Sequence, residues 1–450
     1  MEVVPRKRRP YSTLEKLEMK KTLVALAAVS AVSAFAQTAY HASGAVPNPA
    51  FGKGVTITGG FDASFSSLTY KGSNSFTGVT YNSTSTSQIT FVGIEDLGGG
   101  MKADFNFESD INPSTQYNNG VATFNGIGNA TTAITGNATG ASPITNNTGV
   151  QAPSTWGSGQ VKVGLQTSAG YIGLGAINNA ALDFNQMTGP FGTAWGSGYG
   201  LTQATVGGGF SSSAKVRYDN SVRYFTPTIN GVTGTLTYRG KNSTAANQQF
   251  STTTGLQALS AVQEVGATYM NGPLNLIVVN QIDDGNGIGE SIATVNGANT
   301  LNATTSGKKY STTMFGGNYT YGAATLYYGH AKQADDGATQ AAYTTNRYSI
   351  KYAVSPVLNV MFTSNKATYS KAAATLDGKT TTVTGLGADY MLSKMTALTF
   401  RMDKTQDDIG TMASTQAVST TNGIGAGFAG GATPSDNQRK RTAVGLRVNF

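Results

Sequence analysis

The sequence predicts an all-β protein, a transmembrane antiparallel β-barrel, and three observations predict it. From about residue 55 to the end, short stretches alternate apolar and polar residues with period two. The connections between them fall into two classes, tight turns and long polar loops. Charged residues make up only 12% of the chain, about half the share in a typical soluble domain, while Gly (57), Tyr (21) and Phe (19) are abundant. There is no cysteine, which excludes disulfides, Cys-based metal sites and thiol nucleophiles. With only His41 and His330, a His-rich metal site or a His-based triad has little to draw on.

The chain opens on a targeting segment. Residues 19–36 read MKKTLVALAAVSAVSAFA: a basic end at Lys20 and Lys21, an apolar stretch from Leu23 to Val32, and the small-x-small pattern Ala34-Phe35-Ala36. This is the layout of a signal peptide, and the apolar stretch falls short of the about 20 residues a membrane-spanning helix needs. Residues 1–18 precede a Met that already begins a signal peptide, so translation is expected to start at Met19, with 1–18 a mis-assigned extension. The barrel then occupies 37–450. The first 36 residues hold seven of the 31 basic and three of the 23 acidic residues, so their removal lowers the net charge from +8 to +4. A nucleic-acid partner is therefore not expected.

No later stretch is apolar enough to cross a membrane as a helix. Strands can cross only when closed, because unpaired backbone groups in lipid cost several kcal/mol each. The first strand, Val55 to Leu68, puts Val55, Ile57, Phe61 and Phe65 on one face and Thr56, Thr58, Asp62 and Ser64 on the other. A hairpin follows: Ile89, Phe91 and Gly93 lead through Glu95-Asp96-Leu97-Gly98-Gly99-Gly100 to Met101, Ala103, Phe105 and Phe107. Its glycines supply the positive φ that tight turns require. Further strands carry Val216, Tyr218, Val222 and Tyr224 on the apolar phase, then Val232, Leu236 and Tyr238, then Val265, Ala267 and Tyr269. Phe315 to Tyr321, Tyr348 to Tyr352, Leu398 to Met402 and Val444 to Phe450 repeat the pattern. Short turns lie at 96–100, 271–273, 321–324, 355–357 and 393–395; long loops at 71–87, 111–156, 242–259, 283–307 and 406–437. Short turns at one end and long loops at the other fit a barrel in an outer membrane. A soluble sandwich would also alternate, but its apolar face would not be so rich in Gly, Ala and Tyr, nor its polar face so rich in Lys, Arg and Asp.

Four segments together resemble the general diffusion porins of Gram-negative bacteria, of the β-proteobacterial type: TSQITFVGIEDLGGGMK (86–102), NSVRYFTPTINGVTG (220–234), GLGADYMLSKMTALTF (385–400) and TAVGLRVNF (442–450). The resemblance implies about sixteen strands, a homotrimer, and a third loop folded into the lumen, here about Ile177 to Ser213, with Phe191, Trp195 and a single acid, Asp183. It implies a water-filled channel for passive diffusion of small hydrophilic solutes and ions in the outer membrane of a Gram-negative cell. Lipid, lipopolysaccharide and the outer-membrane assembly machinery are the implied partners, the machinery recognising the terminal Phe450. Where the family usually carries a basic cluster, this chain has Gln88, Val92 and Gly175-Ala176. Weak anion preference or none is the resulting expectation.

Pore-lining candidates are Lys102, Asp104, Lys162, Asp183, Lys215, Arg217, Arg223, Arg239, Arg347, Lys351, Arg401 and Arg447. All but Asp183 sit on the polar phase of a strand, and a charge on the lipid phase would cost about 2–4 kcal/mol at the midplane. The competing role for each is a charge on a wide part of the lumen, paired with an acid such as Asp104. No cofactor, metal site or catalytic residue is expected. Glu95-Asp96 lies in a tight turn, and a barrel lipase would need a Ser–His pair that the two histidines hardly supply. The alternative function is a surface adhesin or structural barrel, suggested by the long Asn/Thr/Gly loops.

Overall fold

The computed structural model describes residues 54–70, 75–111, 113, 157, 159–198, 217–240, 261–284, 292–295, 298–301, 309–336, 342–370, 377–407 and 438–450. The expected extension (1–18), signal peptide (19–36) and Lys215 lie outside them, as do most of the long loops. The strands are β1 (Gly54–Tyr70), β2 (Ser75–Tyr81), β3 (Gln88–Gly98), β4 (Met101–Asp110), β5 (Val161–Thr167), β6 (Gly170–Asn178), β7 (Arg217–Phe225), β8 (Val232–Arg239), β9 (Ala261–Asn271) and β10 (Leu274–Asp284). A separate hairpin, β11 (Ile292–Val295) and β12 (Ala298–Leu301), comes next. Then follow β13 (Lys309–Tyr321), β14 (Ala324–Asp335), β15 (Ala342–Ser355), β16 (Leu358–Ser370), β17 (Thr380–Met391), β18 (Thr396–Asp407) and β19 (Gln438–Asn449).

All but the β11–β12 hairpin belong to one 17-stranded antiparallel sheet. The sheet closes on itself, because β1 pairs with β19 from Gly60↔Asn449 to Tyr70↔Arg439. β2 and β3 share one place in the wall: β1 meets β3 along Gly54–Gly60 and β2 along Ala63–Thr69. Seventeen segments therefore make a closed barrel of sixteen strands. Closure leaves no unpaired edge, the condition for strands in lipid.

The two faces reverse the arrangement of a soluble protein. Val55, Phe65, Leu236, Val265, Leu326, Val444 and Leu446 are exposed on the outside, while Asp62, Arg223, Glu264, Arg347, Asp403 and Arg441 are buried on the inside. Phe65 is 64% exposed and Val444 59%. An apolar surface of that extent is stable only against a bilayer. Tyr319, Tyr321, Tyr352 and Tyr390 stand outward near short turns, where a membrane interface favours amphipathic rings.

The structure corrects three details of the sequence reading. Lys71–Ser87 is not simply a loop: Ser75–Tyr81 forms wall strand β2, and 82–87 folds back over Asp62, whose carboxylate accepts from Thr84 N (2.5 Å), Ser85 N (2.8 Å) and Ser83 Oγ (3.2 Å). Asp283 and Asp284 are not loop acids but the end of β10, paired with β9 and β13. Tyr218 is not on the lipid phase: it is fully buried, with the Arg239 guanidinium 4.9 Å over its ring. Asn220 takes φ +52° within β7, and the pairing with β6 slips between Gly175 and Ile177, so alternation breaks between Tyr218 and Arg223.

Candidate functional site

After β6 the chain continues as a short helix, α1 (Ala180–Met187). Asn179 caps it, its Oδ1 accepting from Ala181 N (3.1 Å) and Leu182 N (3.3 Å). The wall supplies a second cap: Glu264 of β9 accepts from Ala180 N (2.8 Å), and also from Thr237 Oγ1 (2.9 Å) and Gln281 Nε2 (2.8 Å). Helix-start N–H groups that would otherwise lack partners are thus satisfied, a cap contributing about 1 kcal/mol. Ala180, Ala181, Phe184 and Met187 pack against Ile277, Val279, Met314 and Ala331, inward residues of β10, β13 and β14.

Charged side chains of the wall hold the rest of the segment. Arg223 pairs with Asp183, and also donates to Asn178 O (2.6 Å) and Thr235 Oγ1 (3.0 Å). Arg347 spans β16 and the segment, donating to Asn365 Oδ1 (2.8 Å), Asn185 Oδ1 (2.9 Å), Asn185 O (3.1 Å) and Thr188 Oγ1 (3.2 Å). Further on, Arg401 stands 5.6 Å from the Phe191 ring and pairs with Asp389 at 2.7 Å. Asp403 binds Arg441 Nε (2.9 Å) and accepts from Gly196 N (2.9 Å), while Arg441 stacks 4.6 Å over Trp195. Trp195 N reaches Ser83 O at 3.3 Å, so the 82–87 fold and this segment touch. Gly385 permits the approach: a Cβ there would stand 2.6 Å from Gly196 Cα.

The pore-lining candidates therefore divide. Arg223, Arg347, Arg401 and Asp183 converge on the segment 179–198. Lys162 is buried on the wall, ion-paired to Asp104 at 3.3 Å and donating to the Tyr171 hydroxyl. Arg217 pairs with Glu108 at 3.4 Å, and Arg239 covers Tyr218. Lys102, Lys351 and Arg447 are half-buried; Arg447 Nε donates to Asn449 Oδ1 (2.8 Å). Phe450 stands outward, stacked on Phe61 at 5.8 Å, its backbone bonded both ways to Gly59. Sequence reasoning missed Asp403, Arg441, Glu264, Asn185, Asn365 and Asp62 as site residues. Arg441 and Asp403 were legible as polar-phase residues, but only the β18–β19 register sets them opposite each other. Among the described residues no group of three or more His, Asp or Glu side chains stands ready to hold a metal ion.

This inward-polar, outward-apolar closed wall matches known proteins. Residues 22–410 match the family model described as Gram-negative porin. The chain belongs to the Gram-negative porin family. An outer membrane porin protein of Bordetella pertussis is 30% identical over 190 residues, 41% of this chain and 38% of that protein's length. Among solved structures, an anion-selective porin from Comamonas acidovorans superposes with TM-score 0.59 at 18% identity, over 88% of this chain and 99% of that one. OmpT of Vibrio cholerae superposes with TM-score 0.54 at 10% identity, over 88% and 97% of the two chains. These likenesses establish the shared fold. The porin resides in the outer membrane.

Proposed function

We propose that this porin is a water-filled channel for passive diffusion of small hydrophilic solutes and ions, not an enzyme, and that the segment 179–198 folds into the lumen and narrows it. The observation that carries the reading is the closed wall with charged and hydroxyl side chains inside and apolar ones outside. Selectivity is set by what the wall charges face. Lys162, Arg217, Arg223, Arg401 and Arg441 stand against Asp104, Glu108, Asp183, Asp389 and Asp403, so much of the basic character is cancelled locally. Rings of uncompensated positive charge favour anions, and a mostly compensated wall favours them weakly. Export removes the chain up to Ala36, three copies assemble as in the trimer form of Vibrio cholerae OmpT, and Phe450 serves as the signal read by the assembly machinery.

Purified protein added to a planar bilayer tests this. It is expected to give stepwise conductance increases, with a reversal potential under a salt gradient near zero and displaced slightly in the anion direction. A well-folded preparation that gives no steps would remove the channel reading.

A further inference from the structure

At one point the wall carries more chain than its pairing can hold. Gly60 of β1 pairs with Gln88 of β3, and Ala63 with Tyr81 of β2. Between those pairs β1 supplies two residues, Phe61 and Asp62, while its neighbour supplies six, Asn82 to Ser87. The four surplus residues have to leave the plane of the sheet. Outward is closed to them: Phe61 and Phe65 hold the lipid-facing phase at this level, and each unpaired backbone group in lipid costs several kcal/mol. The inward route is built for them. Asn82 turns the chain out of β2 with φ +58°, a left-handed conformation that asparagine tolerates. Asp62, fully buried on the inward phase, holds the backbone of Thr84 and Ser85 and the Ser83 hydroxyl through its carboxylate. Hydrogen bonds to a carboxylate are charge-assisted and strong. Ser64 Oγ meets Ser83 Oγ at 2.5 Å. At the base of the fold, Ser87 Oγ accepts from Asp62 N (2.9 Å) and Ser87 N donates to Asn82 Oδ1 (2.6 Å). Ser87 O accepts from Ile111 N (2.7 Å), just past β4. On its far side the fold meets Trp195 through Ser83 O. Ser83 and Ser87 are buried by these contacts, but Thr84, Ser85 and Thr86 stay half-buried.

We propose that residues 82–87 form a second jaw of the channel's constriction, with Thr84, Ser85 and Thr86 bordering the solute's path and Asp62 as the positioning residue that holds them there. The inference rests on the channel reading above and on the inward placement of the segment 179–198. The jaw is anchored to β1 and β4 rather than to that segment, so it narrows the lumen from its own side. It carries six polar side chains and no charge. Serine and threonine hydroxyls both donate and accept, so an uncharged, hydroxyl-bearing solute exchanges water for them at little loss. The jaw therefore limits solutes by size and hydrogen bonding, and the charged pairs of the wall set ion preference.

The test uses the full-length protein in planar bilayers. Single channels of Ser85→Cys, exposed to membrane-impermeant thiol reagents of increasing bulk, are expected to lose conductance in a step that deepens with reagent size. Lys351→Cys, on the inner wall, is the reference. Block of Lys351→Cys with none of Ser85→Cys overturns the jaw and leaves the channel reading standing; a wild type without conductance steps overturns both. Deleting residues 83–86 returns the count to two against two, and an even deletion keeps every later side chain on its own face. The shortened protein is expected to admit larger neutral polymers, read as the largest polymer that still lowers conductance. An unchanged size limit in it overturns the proposal. Asp62→Ala releases the jaw at full chain length and is expected to make the block of Ser85→Cys shallower and the open current noisier. Asp62→Asn keeps an acceptor for the backbone and is expected to restore most of the block. Equal block in all three backgrounds removes Asp62 from the positioning role. Should Asp62→Ala fail to fold, Ser85→Cys and the deletion still decide the proposal.

Discussion

Asp403→Ala is expected to loosen the segment 179–198 and destabilise the barrel together. Asp403 joins three elements: β18 carries it, Arg441 of β19 donates to it, and so does Gly196 N, 207 residues away in sequence. Removing the carboxylate leaves the buried Arg441 without its counter-charge and Gly196 N without its acceptor. Breaking a buried pair from one side costs about 3–5 kcal/mol, more than the pair contributes when intact. The stacking of Arg441 on Trp195 weakens with it. In single-channel records the expected result is larger and noisier steps, with reversal potential shifted toward anions because one lumenal acid is gone. Asp403→Asn keeps an acceptor for Gly196 N and is expected to show the selectivity shift with less noise. Unchanged noise and unchanged stability in Asp403→Ala would mean that the segment is held elsewhere.

Leu446→Arg is expected to destabilise the folded barrel by about 2 kcal/mol, since a cation on the lipid face costs about 2–4 kcal/mol at the midplane and less toward the interfaces. Leu446 is exposed on β19 between Val444 and Val448, opposite Ala63 of β1 and Leu398 of β18. The next residue, Arg447, already carries the same charge on the opposite phase at no such cost. Arg447→Leu is therefore the matched control and is expected to change stability little. Equilibrium unfolding in urea from lipid vesicles measures both. A smaller penalty for Leu446→Arg than for Arg447→Leu would invert the two faces and remove the barrel assignment.

The faces were legible in the sequence because period two is a local property. Val55, Phe65, Val444 and Leu446 declare their side without reference to any other strand. Tyr218 misled because one left-handed residue, Asn220, shifts the phase, and alternation has no marker for such a break. Residues 82–87, Asn-Ser-Thr-Ser-Thr-Ser, are polar and carry no strand pattern of their own; their order comes from Asp62, twenty or more residues earlier. The acid–base pairs of the inner wall were legible only as residue types. Arg441 and Asp403 lie 38 positions apart, Arg223 and Asp183 lie 40 apart, and register rather than spacing brings them together. Asp183 is the lone acid of the segment 177–213 in the sequence, yet only the closed sheet sets Arg223 against it.

The chain contains no cysteine, so a single introduced thiol reports its own surroundings without background. Lys351 and Ile350 are neighbours on β15, the first on the inward phase with Arg347 and Ser349, the second on the outward phase with Tyr348 and Tyr352. Single channels of Lys351→Cys and Ile350→Cys exposed to a bulky, charged, membrane-impermeant thiol reagent measure directly whether water fills the inside and lipid covers the outside. An abrupt drop in conductance is expected for Lys351→Cys and none for Ile350→Cys. Equal modification of both, or a block confined to Ile350→Cys, would contradict it.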